Sequence, residues 1–111
     1  MKPQNPILTI TKTLDADIPA RRFVGFNGER AGAGEKALGV LEVEAEIGMP
    51  APINVLGVML VETGGAIALG AEVTSNAEGR AVTIADDEAC NGFAVDEAAG
   101  AGELIRIIRG I

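Results

Sequence analysis

Three glutamates are the first residues with the spacing for chemistry. Glu42, Glu44 and Glu46 alternate with Leu41, Val43, Ala45 and Ile47. A period of two puts the three carboxylates on one face of a strand over residues 38–47. Such a row holds a cation or does acid–base work only beside further ligands or a polarising neighbour. The chain has no histidine, so the row reads as the wetted face of a half-buried strand. Asp15-Ala16-Asp17 begins like a calcium loop, but the later acidic ligands and the glycine are missing, and it reads as a turn. Gly32-Ala33-Gly34 has neither the Lys-Ser/Thr of a phosphate-binding loop nor dinucleotide-fingerprint spacing. Cys90 is the single cysteine. It cannot form an internal disulfide, fits a reducing compartment and reads as a small buried hydrophobe. No residue type here is flagged as a catalytic group, a metal ligand or a cofactor anchor.

Composition narrows the partners. The 111 residues carry sixteen acids against nine bases, a formal net charge of -7. Such a balance opposes a nucleic-acid groove, where Lys and Arg must neutralise phosphate. It equally opposes an anionic membrane surface. Only Phe23, Phe26 and Phe93 are aromatic, so stacking platforms for bases are scarce. No apolar run approaches the ~20 residues of a membrane helix. The first thirteen residues lack the apolar core of a signal peptide.

The elements follow from alternation and glycine. Residues 1–6, with Pro3 and Pro6, are expected to be a flexible arm, and 7–111 a single domain. Strands are expected at 7–13, 18–26, 38–47, 54–62, 70–74, 80–85, 89–98 and 103–109. The 54–62 run is central. Val55, Gly57, Met59 and Val61 face one way, and Leu56, Val58 and Leu60 the other. A strand apolar on both faces is covered on both sides, and in so small a chain another subunit can supply one cover. Residues 104–109 are also largely apolar on both faces. Residues 66–69 have room for one helical turn. A weak echo links Gly39-Val40 and Glu44-Ala45 to Gly92-Phe93 and Glu97-Ala98, which suggests two similar strand–turn–strand units. The expected class is all-β, or mainly β with one short helical turn: a small barrel or sandwich of about eight short strands.

The order of segments resembles the phage capsid decoration (head-stabilising, or cement) proteins, encoded beside major capsid genes in tailed phages and prophages. The resemblance lies in residues 37–48, 57–82 and 92–108. Its most specific part is Val61-Glu62-Thr63-Gly64-Gly65-Ala66-Ile67-Ala68-Leu69-Gly70 followed by Gly79-Arg80-Ala81-Val82. Gly92-Phe93-Ala94 is similar to the closing hairpin. The chain departs at Gly48-Met49-Pro50, where an acid is expected after the glycine.

The resemblance implies a β-rich fold, no enzymatic activity and no cofactor. It implies binding to the major capsid protein on the outside of an expanded head, often as a homotrimer, after assembly in the bacterial cytoplasm. On that reading Lys2, Pro3, Gln4, Asn5, Pro6, Ile7 and Leu8 are an arm that contacts the capsid. Val55, Met59, Val61, Leu104, Ile105, Ile107 and Ile108 are candidates for subunit contacts. Two other classes stay open. One is an intracellular hammerhead-type carrier module, although none of Lys2, Lys12 and Lys36 sits at the hairpin tip that cofactor attachment requires. The other is a small hydrolase or lyase without histidine.

Overall fold

The computed structural model describes residues 2–111. Eight strands form in chain order: β1 (Asn5–Thr13), β2 (Phe23–Val24), β3 (Gly39–Leu41), β4 (Pro50–Glu62), β5 (Glu72–Ser75), β6 (Ala81–Thr83), β7 (Gly92–Ala94) and β8 (Leu104–Arg109). Every pairing is antiparallel, in the order β2-β3-β4-β8-β7-β5-β6, with β1 added on β4. The ends of this path approach each other, and the Phe23 amide donates to the Gly79 carbonyl at 2.7 Å. The result is a nearly closed, all-β barrel, the class expected from the sequence.

Several strands are shorter than the alternation suggests. Residues 38–47 give the cleanest period of two, yet only Gly39–Leu41 is strand. Past Leu41 the chain turns away, and the Glu42 amide donates to the Pro52 carbonyl. Ala45 returns as one isolated bridge to Ile18. Residues 18–26 likewise keep only Phe23–Val24 as strand. Residues 66–69 make no helical turn; Ile67 bridges Ala98 instead. β1, by contrast, begins two residues earlier than expected.

The barrel is one unit built twice, and β4 belongs to both. The pairing of β1 with β4 runs Thr9↔Asn54, Ile10↔Ile53, Thr11↔Pro52, Lys12↔Ala51 and Thr13↔Pro50. The pairing of β4 with β8 repeats it as Val58↔Ile108, Met59↔Ile107, Leu60↔Arg106, Val61↔Ile105 and Glu62↔Leu104. The loops repeat it too. Ile18 and Ala45 exchange backbone hydrogen bonds at 3.0 and 3.1 Å, and Ile67 and Ala98 do so at 3.0 and 2.9 Å. Leu14 and Met49 correspond to Thr63 and Glu103, each pair joined by an amide-to-carbonyl bond. Arg21, one of two non-glycine residues at positive φ among the described residues, stands where the second unit has Gly70, also at positive φ. The echo in the sequence is therefore a structural duplication.

The cores repeat as well. Leu14, Ile18, Val24, Leu41, Ala45, Ala51 and Ile53 form one buried cluster. Met59, Val61, Ile67, Val73, Ala94, Ala98, Ile105 and Ile107 belong to the other, larger one. Phe23 and Val40 of the first unit also lie in that larger cluster, so the second unit packs on the back of the first.

β1 comes so close to β4 that one position excludes a side chain. Gly57 has φ +102°, and a Cβ there would lie 2.5 Å from the Asn5 carbonyl oxygen and 2.6 Å from the Ile7 nitrogen. The β1 register shifts between Pro6 and Leu8, opposite this glycine. A Gly57→Ala variant is expected to lose about 1–3 kcal/mol of stability through backbone strain and displacement of β1. Urea unfolding checks the loss, and amide exchange over residues 5–9 should speed up.

Candidate interaction surfaces

The N-terminal residues are fastened to the barrel. The Gln4 side chain accepts hydrogen bonds from the Leu60 amide at 2.8 Å and Arg21 Nη1 at 3.0 Å, and donates to Glu42 Oε1 at 3.2 Å. Lys2 Nζ donates to the Leu104 carbonyl at 3.1 Å. The expected arm boundary after Pro6 thus falls inside β1, and Met1 lies outside the described residues. Hydrophobic side chains are nevertheless displayed here, with Ile7 82% and Leu8 42% exposed.

Alternation splits β4 and β8 into an inner and an outer row. Met59, Val61, Ile105 and Ile107 are fully buried in this chain's own core, so the sequence-based assignment of these four to subunit contacts does not stand. Val55 packs against the smaller cluster. Leu104 is exposed and Ile108 half-buried on the outer row, and they remain available to another chain.

That outer row continues across five strands. Asn5 pairs with Val58, Val58 with Ile108, Ile108 with Phe93, and Phe93 with Glu72. Leu8 and Leu56 stand opposite each other beside it. Val58, Ile108 and Phe93 are half-buried, while Leu8 and Leu56 are exposed. The corresponding row of the first unit is Thr9, Asn54, Val40 and Phe23. There Asn54, Val40 and Phe23 are buried, and Val40 and Phe23 lie in the cluster shared with the second unit. One fold position is therefore covered in one unit and open in the other.

Polar groups are mostly spent on structure. Glu42 does not sit on a wetted face with Glu44 and Glu46. It lies 3.4 Å from Arg21 Nη1 and accepts a hydrogen bond from Asn54 Nδ2. Glu62 Oε2 lies 2.6 Å from Arg80 Nε and 3.3 Å from Arg22 Nη2. Asp96 grips Arg106 with both oxygens, at 2.8 and 2.9 Å, and also accepts the Arg106 amide at 2.9 Å. The Arg106 side-chain bonds, chiefly, hold the Asp96 carboxyl down to about 2, against a smaller opposing effect of burial. Burial lowers the Arg109 guanidinium below its usual range; its Nη2 donates to the Ala37 carbonyl at 2.9 Å. Cys90, expected to be buried, is half-buried. Among the described residues no three His, Cys, Asp or Glu are grouped to hold a metal ion.

A profile of the phage cement protein family matches residues 1–109. The chain belongs to the phage cement protein family. This phage cement protein is thus a structural protein of the phage head. Its fold is similar to a crystal structure of the N base of the head fiber gp8.5 in bacteriophage phi29. The likeness covers 93% of each chain, with a TM-score of 0.77 and 21% identity. At that identity it is a likeness of fold. No curated protein matches the chain.

The Asp96–Arg106 pair makes stability depend on acid. The Asp96 pKa falls from an ordinary 3.8 to about 2 on folding, so its contribution is complete above the unfolded value and is lost as pH drops through the folded one. The phage cement protein is expected to lose stability from about pH 4 to about pH 2, and Asp96→Asn to flatten that loss. Thermal melts of both proteins across this range check it.

Proposed function

We propose that this phage cement protein binds the outside of an expanded head, of a phage or prophage, and stabilises contacts between major capsid protein subunits. The observation that carries the reading is the family match over residues 1–109. Copies associate on the shell as trimers, and the outer row of β4 and β8 supplies the apolar seam between them. Two features of the chain support that seam. Ile108 and Phe93 stand open where the first unit's equivalents, Asn54 and Val40, are covered. Residues of this kind, apolar at the centre with Asn5 and Glu72 at the ends of the row, suit an interface core with a polar rim.

The capsid contact falls to residues 2–8. Ile7 and Leu8 are exposed there. β1 pairs with β4 along one edge, and its other edge carries no strand among the described residues. An open edge of this kind takes an extended segment of another protein by main-chain hydrogen bonds. The functional form sits on the virion surface after assembly in the bacterial cytoplasm.

Co-sedimentation with expanded heads of the neighbouring capsid gene's product tests the proposal. The intact chain should pellet with the heads in a saturable manner. Deletion of residues 1–6 should weaken binding while the barrel still melts cooperatively. Failure of the intact chain to bind would overturn the reading, and unchanged binding after deletion would remove the arm from it.

A further inference from the structure

We infer that the loops at the Thr13 end of β1 form a second docking surface, remote from Lys2, for a protein segment that carries lysine or arginine beside an apolar side chain. Loops 14–19, 25–30 and 42–49 meet there, laced by backbone hydrogen bonds. The Leu14 amide donates to the Met49 carbonyl at 3.0 Å, and the Asp15 amide to the Gly28 carbonyl at 2.9 Å. Asp17 Oδ1 accepts the Ile47 amide at 2.8 Å. A surface already fixed in this way loses less conformational freedom when a partner binds.

These loops display large apolar side chains to solvent. Phe26, Val43, Ile47 and Met49 are 63%, 51%, 63% and 48% exposed. Met49 lines a groove of about 560 Å³ with Asp17, Glu44, Glu46 and Arg30. Phe26 lines a smaller hollow that shares Arg30. Three acids against one base make the groove acidic. Unlike Glu42, Glu62 and Asp96, which are paired, the side chains of Glu44 and Glu46 make no ion pair or hydrogen bond among the described residues.

The duplication supplies an internal control. At the matching positions the second unit has Asp96 for Val43, Glu103 for Met49, Ala66 for Asp17, and the small residues Ala99-Gly100-Ala101 in place of Glu46-Ile47. The same backbone bonds therefore form without the apolar side chains. The fold does not require them in the first unit. Exposed apolar groups set around unpaired charge mark a recognition surface, and acidic charge selects a basic partner.

The test is a titration of the isotope-labelled full chain, followed by amide chemical shifts, with the peptide Lys-Leu-Lys-Phe-Lys and separately with Glu-Leu-Glu-Phe-Glu. The lysine peptide alone should give saturable shifts, confined to the three loops. The double variant Glu44→Lys/Glu46→Lys should weaken binding about tenfold. The control Asp86→Lys/Glu97→Lys makes the same change in net charge elsewhere, Glu97 being the counterpart of Glu44. It should stay within about a factor of two of the unaltered chain. Equal loss in both variants, shifts spread over the barrel, or no shifts would overturn the inference.

Discussion

β4 has to close one unit and open the next, and most of the structure follows from that double duty. At Gly57 and Val58 it is paired on both edges, to Pro6 and Asn5 of β1 and to Arg109 and Ile108 of β8. A strand held on both edges has no room for error in register. The positive φ and the empty Cβ position at Gly57 are what let β1 lie against it. Gly39 and Gly92 show the same constraint at matching positions. A Cβ at the first would overlap the Asn54 carbonyl, and at the second would crowd the Ile108 carbonyl at 3.1 Å.

Duplication also explains where the polar residues went. Arg21 occupies a left-handed position that the second unit fills with Gly70. Its side chain reaches Gln4 and Glu42, which ties the N-terminal residues to the first unit. Glu62 binds Arg22 and Arg80, so it joins the two units. These ion pairs are partly buried and share hydrogen bonds, the setting in which such pairs matter more than on an open surface. None converges on a cavity with a second reactive group.

Much of the fold was legible in the sequence. Alternation and glycine punctuation located all eight strands, and the Asn76–Gly79 turn of the β5–β6 hairpin forms as its residues dictate, closed by the Gly79 amide on the Asn76 carbonyl. Lengths were less legible. The Leu41-to-Ile47 alternation marks a chain that touches the sheet at Gly39–Leu41 and again only at Ala45; period two cannot tell a continuous ladder from a single bridge. Inner and outer rows were legible as alternation but not as sides. Nothing local to Met59 or Ile107 says that they face the chain's own core and that Val58 and Ile108 face out. That follows from the long-range pairing of β4 with β8. The extent of the duplication was also hidden, because the units share hydrogen-bond geometry more than residue identity.

The inner side of β4 and β8 holds the barrel together, and the outer side is the one proposed for association. A cryo-EM reconstruction of decorated expanded heads, at a resolution that shows side chains, tests this most directly. Val58, Ile108 and Phe93 should be buried against a neighbouring copy, with Met59, Val61, Ile105 and Ile107 still inside each barrel. A map with Val58, Ile108 and Phe93 in solvent, and the contacts between copies made elsewhere, would contradict the account.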